Sequence, residues 1–327
     1  MMPITYADVC AARERIAAHL SPSPAMHYPL LDALVGHGVT VWVKHENHLP
    51  INSFKVRNAT SALTALLARD PAAAARGVIA ASTGNHGQGL AWAGARLGVP
   101  VTICVPVGNN PEKSAVIQSY GARLIEVGDS YDGAIAACGE MAEREGLTLV
   151  HSTNHLDVMA GAGTMTAEFL EQVPQLDAVI MALGGGSQCV GAIAVRDAVR
   201  PSLAVYAVQS AGATAQHDAW RDGTARQGAP VKTFAEGIAT GATYTMTQDA
   251  LRAGLTDFVL VSEDALAQGV RDLLRFTHNV VEGAGAAGLA AVQQLAPRLA
   301  GKTVGIVLCG GNLDTDRLRI ILDGRTP

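Results

Sequence analysis

Short runs of β-branched and other apolar residues alternate with longer stretches whose apolar positions recur at helical spacing, along nearly the whole chain. The runs predict strands at 39–46, 77–82, 100–106, 122–127, 147–151, 178–183, 203–209, 258–262 and 303–308. Between them the spacing predicts helices at 59–69, 86–97, 112–120 and 131–145. Near the amino terminus Thr5 is placed to cap a helix reaching residue 19, with Asp8 in its first turn. Alternating strand and helix predicts an α/β fold: two open-sheet domains of mostly parallel strands with helices on both faces. The compact block 71–149 is expected to form the smaller domain, and 1–70 with 150–327 the larger.

Within this frame Lys55 stands out, in Asn52-Ser53-Phe54-Lys55-Val56-Arg57-Asn58-Ala59, at the head of the helical run after the strand at 39–46. Most lysines snorkel to water. An amine flanked by apolar residues at a helix start also suits covalent chemistry with a carbonyl group. Three glycine-containing segments each follow a predicted strand: Ser82-Thr83-Gly84-Asn85-His86-Gly87-Gln88-Gly89, Gly184-Gly185-Gly186-Ser187-Gln188-Cys189 and Cys309-Gly310-Gly311-Asn312. Strand ends are where the crevice of an open parallel sheet collects ligands. The second segment leads into a helix near Gln188, so its N–H groups and the helix terminus can hold a phosphate without a cationic side chain. Taken alone, it reads first as a tight strand-to-helix turn. No G-x-G-x-x-G opens a helix after the first strand with an acid about twenty residues on, which argues against a dinucleotide fold.

Together, and in this order, the four motifs resemble the fold type II family of pyridoxal-5'-phosphate enzymes (tryptophan synthase β-like). The closest likeness is to its threonine/serine dehydratase and serine racemase branch, from about residue 5 to about residue 314. The pattern S-F-K-x-R, S-x-G-N-H-x-Q, glycine-rich loop and C/S-G-G-N is met almost residue for residue. The resemblance implies pyridoxal 5'-phosphate as cofactor and Lys55 as the Schiff-base lysine that also moves the Cα proton, a task that needs partial desolvation. It implies that Phe54 packs beside the ring, that Asn85 donates to the 3'-oxygen, and that Gly184, Gly185, Gly186, Ser187 and Gln188 cup the phosphate. Cys309 would face the pyridine nitrogen as a weak donor and moderate the electron sink; its ordinary alternative is a buried small hydrophobe. Gly237 and Glu282 match segments near the ring, and for Glu282 the alternative is a helix-start acid stabilised by the dipole. Ser82, Thr83, Gly84, Asn85 and His86 form the loop expected to bind the substrate α-carboxylate. Thr83 is also the catalytic candidate for protonating the opposite face, and His86 has a structural hydrogen-bonding role as its alternative.

The implied activity is that of a dehydratase, a carbon–oxygen lyase converting an L-β-hydroxy-α-amino acid to a 2-oxo acid and ammonia. L-threonine and L-serine lead. 3-Phenylserine and 3-hydroxyaspartate are further candidates, because Asn52 and Asn58 replace glycines usual beside the lysine; Ser187, in place of the fourth glycine of the phosphate loop, is a benign change, since a hydroxyl can donate to phosphate. For a second carboxylate Arg57 is the nearest cation in sequence, although the resemblance implies a structural role for it. Alternatives from the same chemistry are a racemase using Thr83 and a β-replacement synthase; a relative that had lost the cofactor is disfavoured by Lys55 and Asn85. The metal site of the racemase branch falls on Gln209, Ser210 and Ala215, which lack the hard anionic oxygens Mg²⁺ or Ca²⁺ prefer, so no metal is expected. His45, Glu46 and His48 resemble a ligand cluster, but strand alternation separates His45 from Glu46.

Composition narrows the partners. The formal net charge of −5 over 327 residues, with no basic run, gives no footing for nucleic acid or an anionic membrane. Five cysteines (Cys10, Cys104, Cys138, Cys189 and Cys309) form no CxxC pair, as expected in a reducing compartment. No leader pattern and no apolar run of about eighteen residues is present, so a cytoplasmic enzyme acting on a free amino acid is expected. The resemblance implies a homodimer. With little chain after Asn312 for a regulatory domain, the expected role is amino-acid catabolism.

Overall fold

Ten strands build two sheets in the computed structural model, whose described residues are 2–327. In chain order they are β1 (Ala25–His27), β2 (Thr40–Lys44), β3 (Val78–Ala81), β4 (Val101–Val105), β5 (Arg123–Glu126), β6 (Thr148–Leu149), β7 (Ala178–Ala182), β8 (Ala204–Ser210), β9 (Asp257–Val261) and β10 (Thr303–Val307). One sheet runs β1-β2-β10-β7-β8-β9 and the other β5-β4-β3-β6. Every pairing is parallel except β1 with β2. Parallel strands need crossovers, and helices supply them on both faces, as the alternation predicts.

The central strands are buried along their length, which is why they read as unbroken apolar runs rather than alternating ones. A large apolar core surrounds the six-stranded sheet. A second core under the four-stranded sheet combines Val78, Val101 and Ile103 with Ala59, Leu63 and Leu66 of helix Lys55–Arg69. The helix that begins at Lys55 therefore packs against the smaller sheet. On another side it meets helix Leu156–Gln172 so closely that a Cβ on Gly161 would stand 2.6 Å from the Arg57 carbonyl oxygen.

Some boundaries move for identifiable reasons. Thr5 caps the first helix in a capping box with Asp8, but the helix stops at Ile16 rather than residue 19, where the chain tightens and the His19 N–H donates to the Ile16 carbonyl three residues back at 2.9 Å. The strand expected at 147–151 shortens to β6, because His151 Nδ1 accepts from the backbone N–H groups of Thr153 and Asn154, both at 2.9 Å, and turns the chain. The edge strand β1 has three residues, too short for periodicity to reveal.

Candidate active site

The lysine motif is stitched to the Cys309 motif before any ligand is considered. Ser53 forms a bridge with Gly310, the Phe54 N–H donates to the Cys309 carbonyl at 3.1 Å, and Ser53 Oγ donates to the same oxygen at 3.0 Å. Just upstream, Ile51 and Asn52 adopt left-handed backbone at φ 62° and 52°. A glycine takes that conformation freely and asparagine tolerates it, so Asn52 serves where glycine is usual; β-branched Ile51 stores strain. Asn312 closes the circuit: its Nδ2 donates to the Ile51 carbonyl at 2.8 Å and to Asn85 Oδ1 at 2.7 Å.

The glycine turn follows β7 and opens helix Ser187–Val199. A Cβ on Gly184 would meet the Gly237 carbonyl oxygen at 2.5 Å, one on Gly185 would lie 1.9 Å from Thr153 Oγ1, and Gly186 has φ +103°. Side chains are thus excluded here, leaving backbone N–H groups and a helix N-terminus to receive an anion. Asn58 Nδ2 donates to Ser187 Oγ at 3.5 Å, so two departures from the usual glycines form a single contact.

All fifteen candidate residues line one cavity of about 340 Å³: Phe54, Lys55, Ser82, Thr83, Gly84, Asn85, His86, Gly184, Gly185, Gly186, Ser187, Gln188, Gly237, Glu282 and Cys309. Burial lowers the Lys55 amine to about pKa 8 against the opposing pull of Glu282. Its Nζ lies 5.0 Å over the Phe54 ring and 3.5 Å from the Ser152 carbonyl oxygen. Burial raises Glu282 to about 7 despite bonds from Asn85 Nδ2 to both its oxygens at 2.9 and 3.1 Å. The Cys309 thiol is pushed up by burial and stays protonated, hence a weak neutral donor.

Two loop side chains are spent on architecture. Ser82 Oγ accepts from the Gly87 N–H at 2.9 Å, and His86 Nε2 donates to the Val150 carbonyl at 2.9 Å. Burial lowers His86 to about 3, so its ring is neutral and offers an anion no charge. Arg57, the cation nearest Lys55 in sequence, is not in the cavity. It is buried against Glu46 and Glu168, bonded at 2.7 Å to each, so it cannot meet a substrate carboxylate. Glu46 also accepts from Ser23 at 2.6 Å, which removes it from any grouping with His45 and His48. The cavity adds Lys113, Tyr131, Ser152, Thr153 and Tyr244, which the sequence reading lacks. Ser152 and Thr153 follow β6, so the strand-end rule could have found them; nothing local marks Lys113.

A desolvated lysine and a glycine turn shaped for an anion, in one cavity beside two mostly parallel sheets, define an enzyme that handles a phosphorylated carbonyl cofactor. The model of the family described as "Pyridoxal-phosphate dependent enzyme" matches residues 16–310, and the chain belongs to that family, in its fold type II class. It is 32% identical over 320 residues to an L-threo-3-hydroxyaspartate ammonia-lyase of a Pseudomonas species, covering 98% of this chain and 99% of that one. With the L-threonine ammonia-lyase of Geobacter sulfurreducens it shares 35% identity over 288 residues, 88% of this chain and 70% of the other. The crystal structure of a pyridoxal 5'-phosphate-dependent aspartate racemase superposes with a TM-score of 0.91 at 29% identity, covering 97% and 98% of the two chains.

Proposed function

We propose that this chain is an ammonia-lyase that deaminates an L-β-hydroxy-α-amino acid to a 2-oxo acid, with L-threonine and L-serine as the first substrates to test. The observation that carries the reading is the Lys55 amine, lowered to about 8 and sharing a cavity with a glycine turn that excludes side chains. When bound, pyridoxal phosphate supplies the electron sink that makes the substrate Cα–H acidic. Lys55 and the turn fit it: Lys55 Nζ offers the amine, and the N–H groups of Gly184, Gly185, Gly186, Ser187 and Gln188 offer an anion cup.

The remaining work falls to named groups. Lys55 Nζ, once neutral, takes the Cα proton. Backbone N–H groups of the segment Ser82, Thr83, Gly84, Asn85 and His86 hold the α-carboxylate, and the Ser82 hydroxyl keeps that segment in shape. Phe54 and Gly237 would hold the cofactor ring between them, and Asn85, braced by Glu282 and Asn312, would orient it. Cys309, a buried thiol kept protonated in the same cavity, would offer the ring nitrogen of the bound cofactor only a weak neutral donor and so would moderate the electron sink that the cofactor supplies.

Residues 71–149 would act as a smaller unit closing on 1–70 with 150–327, because the carboxylate segment follows β3 while the glycine turn follows β7. Five free cysteines fit a cytoplasmic setting, and a homodimer is the expected assembly, testable by light scattering. The decisive assay follows 2-oxo acid release from a panel of β-hydroxy amino acids; no release from any of them would overturn the proposal. A second reading, racemisation, rests on Thr83 lining the same cavity as Lys55. It expects D-amino acid from an L-substrate, lost in Thr83→Ala, and it is rejected if no D-isomer forms.

A further inference from the structure

Lys55 and Lys113 are the two basic residues, lysine or arginine, that line the cavity. With Lys55 assigned to the Cα proton and Arg57 locked against Glu46 and Glu168, Lys113 is the cation left to meet a substrate. It sits in helix Pro111–Ser119, whose start is capped by Asn110, and its side chain is 11% exposed. The ammonium lies 2.5 Å from Glu236 Oε2 and 3.2 Å from Asp314 Oδ1. Burial works against its charge, but these carboxylates more than offset that, so it stays protonated. An ammonium carries three donors, and Glu236 and Asp314 take two, leaving one N–H for the cavity.

Glu236 also lines the cavity, and its side chain is 42% exposed. Its other oxygen accepts from Arg317 Nη1 at 2.6 Å, so Glu236 keeps a cationic partner if it yields Lys113. The Lys113 stem lies 3.9 Å from where a Cβ on Gly84 would stand, beside the segment assigned to the α-carboxylate. An α-carboxylate held there by backbone amides would leave the free donor of Lys113 for a second anionic group.

We infer that Lys113 determines specificity, by binding the side-chain carboxylate of a dicarboxylic β-hydroxy-α-amino acid, with Glu236 as the internal anion that the substrate competes against. This rests on the proposed deamination. The test uses the cofactor-loaded enzyme and compares kcat/KM for L-threo-3-hydroxyaspartate with that for L-serine, in the parent and in Lys113→Met, Lys113→Arg and Glu236→Gln. Calorimetric titration with succinate supplies a readout that needs no turnover.

Loss of a charged hydrogen bond should lower the hydroxyaspartate-to-serine ratio in Lys113→Met by about ten- to hundredfold. Lys113→Arg, which keeps the charge, should recover part of that ratio. Glu236→Gln should tighten succinate binding several-fold, the opposite sign to Lys113→Met, whereas a merely structural role moves both variants the same way. Equal losses for the two substrates would assign Lys113 to the α-carboxylate or to packing and overturn the inference. If the parent releases no oxo acid from either substrate, the deamination reading fails; succinate binding unaffected by Lys113→Met would separately sink the role of Lys113.

Discussion

At the scale of single residues, the site is controlled by what burial does to charge. Lys55 is lowered from 10.5 to about 8, so in the cofactor-free protein it is neutral at a pH where an exposed lysine is charged. Cofactor capture, followed by absorbance, should accelerate as pH rises toward about 8 and then level off. The folded state binds fewer protons than the unfolded one between about 8 and 10.5, so stability of the cofactor-free protein rises across that window. Below about 8 both states are protonated and the cost of burying the charge is fully felt, about 3 kcal/mol at roughly 1.4 kcal/mol per pKa unit. Denaturant titrations at pH 7.5 and 10 check the sign, and Lys55→Met should flatten this part of the dependence. Gly185 poses the complementary steric test. A methyl group would land 1.9 Å from Thr153 Oγ1, so Gly185→Ala should weaken cofactor binding by about tenfold or more, measured by equilibrium titration.

At the scale of elements, helix Lys55–Arg69 is held by charges inside the protein. Arg57 bonds both Glu46 and Glu168, and Lys44 Nζ reaches Glu168 Oε2 at 3.1 Å. Removing one partner strands buried carboxylates, so Arg57→Met should destabilise the fold by about 3–5 kcal/mol in chemical denaturation. This network also explains what the sequence did and did not disclose. The strands β3, β4, β7, β8 and β10 were legible because both faces are largely buried, and the lysine, glycine and Cys309 motifs because each abuts a strand or helix end. The resemblance implied a structural Arg57, but its partners could not be named from sequence, since they lie 11 and 111 residues away. Lys113 was equally hidden: its partner Glu236 is 123 residues distant. Local periodicity carries no record of such pairings.

At the scale of the whole molecule, the site lies between elements carried by different sheets, and it is linked across the gap by the Lys113–Glu236 ion pair and the Asn312–Asn85 hydrogen bond. No helix among the described residues is long and apolar enough to cross a membrane. Because the cofactor binds only the assembled site, pyridoxal phosphate at a hundredfold excess over its Kd should stabilise the fold by about 2.7 kcal/mol, with Tm rising with its concentration. A cofactor-independent Tm would mean that the cavity does not take it.

The most direct test is chemical. Loading the protein with pyridoxal phosphate, reducing it with borohydride and mapping the peptides by mass spectrometry should find the added mass on Lys55 and none after Lys55→Ala. Finding it on another lysine, or on none, would contradict the account.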